Sequence, residues 1–193
     1  MRSPVLSRPS TNGHSADDQV PGKIIAQIDA QIDSWVDQIR SPQLDRIFYT
    51  LSSVADHSLL WHGLGILNAL AMRDAGFAVR FSAMLGVESA ITNGGIKTVF
   101  RRKRPDGVPS AGSLPFGMRR PITSSFPSGH ATSAFAAATI LAYKSKLAPV
   151  YFALAAAVAA SRVYVKMHHA SDVVAGSAMG IGFGKLGRLF VRR

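Results

Sequence analysis

The chain has no cysteine, which excludes disulfides, thiolate nucleophiles and cysteine-ligated metal. Acidic side chains are scarce, 11 Asp and Glu against 22 Lys and Arg, and the formal charge is +11. That excess points to an anionic partner: nucleic acid, anionic lipid headgroups or a phosphorylated substrate. Charged residues make up only 17% of the chain while hydrophobic ones make up 47% and gather into long runs. A soluble domain of this size seldom needs such runs, so a membrane is the expected solvent. No composition break divides the 193 residues, so one domain is expected.

Residues 1–21 carry Arg2, Arg8, Asp17 and Asp18 among Pro, Ser, Asn and Gly and lack the apolar core of a signal peptide. They are expected to form a disordered tail ahead of a single membrane domain over residues 22–193. Ile24, Ile25, Ile28, Ile32, Trp35, Val36 and Ile39 fall at helical spacing, with Gln27, Asp29, Asp33 and Asp37 on the other face. This helix is too polar to span and is predicted to lie on the membrane surface or on the bundle.

Five stretches are then long and apolar: Ile47 to Ala71, Phe77 to Ile96, Ala131 to Tyr143, Leu147 to Val165 and Val173 to Phe190. A span needs about 20 residues, and the third reaches this only if it starts near Pro127. The predicted fold is all-α: a polytopic membrane bundle of about five transmembrane helices with an N-terminal amphipathic surface helix. One long polar connection, Lys97 to Phe126, falls on the same side as the Val165 to Asp172 turn. Gly176, Gly180 and Gly184 recur every fourth residue, a pattern for close helix packing in lipid.

Three blocks place basic groups at the ends of apolar segments, where an unpaired charge is expensive and usually functional. In the first, Lys97 ends the second stretch and Arg104 precedes Pro105; a lysine point charge and a forked guanidinium suit a phosphate dianion. The same block also reads as a basic flank meeting anionic headgroups, the role expected of Arg101, Arg102 and Lys103. In the second, Pro127-Ser128-Gly129-His130 opens the third stretch. Ser128 is a plausible N-cap, Gly129 lets a phosphate approach the backbone, and free N–H groups there cradle anions. His130 at the rim of that cradle could give a proton to a leaving alkoxide and take one from water, or be a packed interfacial residue.

In the third block, Ser161 and Arg162 end one stretch and His168 lies four residues before Asp172. If Asp172 opens the next helix, its carboxylate can reach back to an imidazole N–H, fix the tautomer and leave the other ring nitrogen to attack. His169 lies three residues from Asp172, so spacing leaves both histidines open, and a helix cap beside two surface histidines is the plain alternative. No further His, Asp or Glu has ligand spacing, so no metal is expected.

Taken in order, Lys97-x6-Arg104-Pro105, Pro127-Ser-Gly-His130 and Ser161-Arg162-x5-His168-x3-Asp172 resemble the three signature motifs of the type 2 phosphatidic acid phosphatase superfamily. The resemblance implies that His168, rather than His169, attacks phosphorus and forms a phosphohistidine. It implies that Asp172 orients His168 and that His130 protonates the leaving group and then activates water. Lys97, Arg104, Ser128, Gly129 and Arg162 would hold the phosphoryl oxygens, with no metal or cofactor. The apolar stretches favour the membrane branch and a lipid phosphate monoester as substrate.

Ala55-Asp56-His57-Ser58 followed by Trp61 resembles a segment of actinobacterial decaprenylphosphoryl-phosphoribose phosphatases. A polyprenyl-linked sugar phosphate is therefore placed ahead of phosphatidylglycerophosphate, phosphatidic acid and polyprenyl diphosphate. A lipid-phosphate binder without catalysis and a nucleic-acid-binding protein are the alternatives from other classes; a membrane bundle argues against nucleic acid as the partner. The count of basic residues puts the motif face of the cell membrane on the cytoplasmic side, with Arg188, Arg192 and Arg193 counting the other way. Asp56, His57 and Glu88 lie within predicted spans, where polar groups are either functional or bonded between helices.

Overall fold

The computed structural model describes residues 20–106 and 122–191. The expected tail lies outside the described residues, apart from the two at its end taken into the first helix. Among the described residues all regular structure is helical: α1 (Val20–Ile39), α2 (Pro42–Val54), α3 (Leu59–Met72), α4 (Ala75–Ser89), α5 (Lys97–Val99), α6 (Gly129–Leu141), α7 (Ala148–Tyr164) and α8 (Ala170–Val191).

Local chemistry explains several boundaries. Ser41 caps α2 by accepting from the Leu44 amide at 3.3 Å, and Pro42 follows in the first turn, where its missing N–H costs nothing. Asp74 caps α4 through the Phe77 amide at 3.0 Å. From Ala90 to Ile96 that helix widens into a π-helical run before ending as α5, so Lys97 emerges at its tip.

The five predicted stretches do become helices, but among the described residues no helix is long and apolar enough to cross a membrane. The first stretch is cut in two at Ala55 to Ser58, and the third stops at Leu141 after 13 residues. At 1.5 Å per residue the latter is about 20 Å long, against a hydrocarbon core of about 30 Å. With 22 residues, α8 is long enough, but it interleaves glycines with Lys185 and Arg188.

Packed most closely against α8 and then α7, α6 is the centre of the molecule. Its Ala131, Ala134, Ala136, Ala137, Ala138, Ile140 and Leu141 are buried, as expected of a helix apolar on every side. Gly176, Gly180 and Gly184 all face it. A Cβ on Gly176 would lie 2.6 Å from the Ser128 carbonyl and one on Gly184 2.7 Å from the Ala136 carbonyl, so only glycine permits this approach. The contact brings the start of α6 against the start of α8, which is where the second and third motifs lie.

The N-terminal helix is amphipathic in an unusual sense. Against the bundle it buries Asp29 and Val36, while Ile24, Ile25, Ile28 and Trp35 are exposed. Asp29 and Asp33 face inward, and the exposed Asp37 reaches in from the rim, because the basic motif segments are there: Asp29 meets Arg102, Asp33 meets Lys166 and His169, and Asp37 meets Lys166.

Candidate active site

The three sequence blocks converge on one cavity of about 950 Å³, lined among others by Lys97, Arg104, Gly129, His130, Arg162 and His168, with Asp56, His57 and Ser58 on a further wall. Ser128 and Asp172 stand behind it. All eight residues singled out from the sequence thus gather at one end of α6 and α8.

Helix α7 ends at Tyr164, and Lys166 turns the chain through a left-handed backbone conformation (φ 57°). The Arg162 carbonyl accepts from the amides of both Met167 and His168 at 3.1 Å, which closes the turn. The Lys166 ammonium bonds the Asp33 carbonyl at 2.7 Å and the Asp37 carboxylate at 3.0 Å, so α1 holds the turn from outside. Consecutive histidines then point apart. His168 is buried in the cavity, whereas His169 Nδ1 lies 3.2 Å from the Asp33 carboxylate on α1.

His168 Nδ1 lies 2.6 Å from the Ser125 carbonyl oxygen. A carbonyl only accepts, so Nδ1 carries the proton and Nε2 holds the lone pair. Arg104 Nη1 lies 3.5 Å from that Nε2. The structure differs here from the expectation that Asp172 accepts the imidazole N–H: its nearer oxygen is 3.8 Å from Nδ1, beyond hydrogen-bond distance. The reason is local. Asp172 is the third residue of α8, and its Oδ2 reaches back to the His169 amide at 2.9 Å, as in a capping box. Its Oδ1 accepts from Arg102 Nη1 at 2.5 Å.

Burial drives the His168 pKa down to about 3; the Asp172 carboxylate opposes this, and Arg162, Arg104 and Lys97 add to it. The imidazole is therefore neutral, as a nitrogen nucleophile must be.

Arg102 is the residue that sequence reasoning underrated. Expected only as part of a headgroup-facing flank, it forks between the carboxylates of Asp172 and Asp29 at 2.5 Å each and also bonds the Ser171 hydroxyl at 2.6 Å. Asp29 in turn accepts from the Ser171 amide at 2.9 Å. Burial alone would raise the Asp29 pKa, but the bonds from Ser171 and Arg102 outweigh it and hold the carboxyl below its ordinary range. Nothing in the spacing tied Asp29 to a motif 73 residues away; its only signal was a polar helix face with no basic partner nearby.

Three cations face the cavity differently. Arg104 is buried and bonds the carbonyls of Met167, Thr123 and Ser124 at 2.5 to 3.3 Å, which ties the long loop to the third block. Arg162 donates through Nη1 to Ser52 Oγ, while its buried Nε has no partner among the described residues. A buried guanidinium N–H without an acceptor fits a site made for an anion. Lys97 lies just past the end of the second apolar stretch. Burial, with the charges of Arg104 and Arg162, lowers its pKa to about 8.

Ser128 caps α6, with its hydroxyl 3.4 Å from the Ala131 amide, and its own amide donates to the Asp172 carbonyl at 3.1 Å. The cradle is thus narrower than the sequence implied. The amides of Gly129 and His130, first in the helix, have no intrahelical acceptor and carry the positive end of the dipole. A Cβ on Gly129 would come within 2.7 Å of Asn93 Oδ1, so a larger residue there would displace the Asn93 side chain that lines the cavity. His130 Nε2 lies 2.7 Å from the Asp56 carboxylate. Glu88 lies apart from this cluster, bonded by Thr92 Oγ1 at 3.0 Å and Ser133 Oγ at 2.6 Å, and so acts as an interhelical partner. Among the described residues no three His, Asp or Glu side chains are grouped to hold a metal ion.

This constellation matches a known family. The model of the PAP2 superfamily matches residues 77–193. The decaprenylphosphoryl-5-phosphoribose phosphatase of Mycolicibacterium smegmatis is 36% identical over 129 residues, 65% of this chain and 67% of that protein. Among solved structures, a transmembrane PAP2 type phosphatidylglycerolphosphate phosphatase from Bacillus subtilis superposes with a TM-score of 0.69 over 93% of this chain and 88% of its own, at 21% identity. Aquifex aeolicus LpxE superposes with a TM-score of 0.65 over 82% of this chain and 93% of its own, at 25% identity. The chain belongs to the PAP2 superfamily. Within that family it is a phosphatase.

Proposed function

We propose that the protein is an integral-membrane lipid phosphatase that cleaves a phosphate monoester through a phosphohistidine on His168, without a metal. The observation that carries the reading is the state of His168: neutral, its Nδ1–H committed to the Ser125 carbonyl, its Nε2 beside Arg104 in a cavity shared with Lys97, Arg162 and His130.

In the first half-reaction Nε2 of His168 attacks phosphorus as the ester P–O bond breaks, and His130 gives a proton to the departing alkoxide. In the second, His130 takes a proton from water as its oxygen bonds phosphorus and the N–P bond breaks, releasing inorganic phosphate. Lys97, Arg104, the Arg162 Nε–H and the amides of Gly129 and His130 stabilise the charge spread over the equatorial oxygens. Ser128 fixes that amide pair as a cap. Asp172, 3.8 Å from the ring, opposes the positive charge His168 develops on attack, while Arg102 and the α8 cap hold the carboxylate still.

A polyprenyl-linked sugar phosphate is the proposed substrate. Beyond the cation cluster the cavity is lined by His57, Ser58, His62, Ser89 and Asn93, groups suited to sugar hydroxyls. The relative named for a decaprenylphosphoryl phosphoribose supports the same choice. The membrane seat is supported by large apolar side chains exposed on outward helix faces, among them Leu67 and Leu70 of α3, Val79 of α4, Val150 of α7 and Leu189 of α8. The basic-residue count supports a cytoplasmic motif face of the cell membrane.

The test is phosphate release by the detergent-purified chain, with EDTA present, from a panel of polyprenyl-linked sugar phosphate, phosphatidylglycerophosphate, phosphatidic acid and polyprenyl diphosphate. Release from the sugar phosphate, at least about 10³-fold reduced in His168→Ala, is expected. Preference for another lipid would overturn the substrate, and lipid binding with no release from any would overturn the enzyme reading in favour of a binding protein.

A further inference from the structure

The stretch from Ile47 to His62 contains no proline or glycine and reads as one uninterrupted helix. The backbone nevertheless breaks within it. After α2 ends at Val54, Asp56–Ser58 form a single 3-10 turn, and His57 and Ser58 both take left-handed angles (φ 53° and 59°) before α3 begins. Left-handed backbone is disfavoured for any residue with a Cβ, and two in succession without glycine persist only where surrounding contacts impose them. Such outliers cluster at functional sites, and this one presents Asp56 to the cavity with a carboxylate oxygen 2.7 Å from His130 Nε2.

We infer that Asp56 is a positioning residue for His130, holding its Nε2–H so that Nδ1 is the nitrogen that exchanges protons with the leaving oxygen and then with water. Resting on the phosphatase reading above, this adds a residue outside all three motif blocks. It also makes the two histidines complementary. Ser125 holds His168 by Nδ1 and leaves Nε2 to attack; Asp56 holds His130 by Nε2 and leaves Nδ1 to carry the proton. In the first half-reaction the proton moves from His130 Nδ1 to the ester oxygen as the P–O bond breaks. In the second it returns from water to Nδ1 as the new O–P bond forms. Asp56 stays ionised throughout and stabilises the imidazolium charge against burial and against Arg162 from α7 and Lys97 from α5, while His57 of the same turn acts on Asp56 itself.

Two substrates separate this role from a structural one. Dioctanoyl phosphatidic acid has an alkoxide leaving group that needs a proton, whereas the phenolate of p-nitrophenyl phosphate departs without one. With the full-length protein, Asp56→Asn is expected to lower kcat for the alkyl phosphate on the order of 10²-fold, with KM within about twofold. The first-turnover burst of p-nitrophenolate should stay close to wild type, and Asp56→Glu should recover part of the loss. Wild-type kcat in Asp56→Asn, or equal losses on the alkyl ester and in the aryl burst, would overturn the inference while the His168 reading stands. Absence of wild-type turnover of both probes and of every lipid in the panel above would overturn the phosphatase reading and this one with it.

Discussion

At the scale of single residues, Lys97 is expected to set the alkaline limit of the site. Burial, with Arg104 and Arg162 nearby, brings its pKa down to about 8, so in the free protein it is charged below that pH and neutral above it. A dianionic phosphate needs the charged form. The expected result is a kcat/KM that falls as pH rises through about 8, whereas in Lys97→Arg, whose guanidinium stays protonated, this alkaline limb moves up or disappears. A limb unchanged in Lys97→Arg would show that another group sets it. Most of the motif residues stood out because they are polar groups at or just beyond the ends of apolar segments. Their bonding was less so. Spacing could not separate His168 from His169, and it could not foresee that Asp172 would give both oxygens to the His169 amide and to Arg102, because Arg102 belonged to a run of four basic residues with nothing to single it out. Ser125, whose backbone carbonyl fixes the His168 tautomer, has no sequence signal, since every residue carries a carbonyl.

At the scale of elements, the site depends on how near α6 comes to α8. A Cβ at Gly180 would run into the Thr132 carbonyl, while Gly182 on the outer face has nothing within 4 Å. Gly180→Ala should therefore destabilise by on the order of 1–3 kcal/mol and depress activity by moving the Ser128 cap from the Asp172 carbonyl. Gly182→Ala should be neutral or stabilise by about 0.5–1 kcal/mol. Thermal unfolding in detergent separates the two, and equal effects would contradict the packing. The glycine spacing announced this contact. The break at Ala55 to Ser58 was hidden, because no helix-breaking residue marks it; it follows from what Asp56 meets across the bundle, information that lies 74 residues away.

For the molecule as a whole, polar and apolar groups are arranged from the site outward. The Asp29, Asp33 and Asp37 side of α1 docks on the motif segments, and its Ile24, Ile25, Ile28 and Trp35 face outward at the rim of the bundle. The amphipathic helix was legible from periodicity, but which face turns inward was decided by the basic loop it meets. If the outward face lies in the headgroup region, Trp35 in proteoliposomes should be quenched by lipids brominated near the headgroup more than by lipids brominated deep in the chain, a difference absent in Trp35→Phe. Quenching by neither would place this face in water.

The proposed chemistry turns on a bond between phosphorus and His168 Nε2. The most direct test is to mix the detergent-purified protein with the cleaved lipid carrying a radiolabelled phosphate, quench within the first turnover, and assay for label on the chain. An acid-labile, base-stable phosphoprotein that forms in the wild type and is absent in His168→Ala is the expected result. Phosphate release without any labelled chain, or labelling that survives His168→Ala, would contradict it.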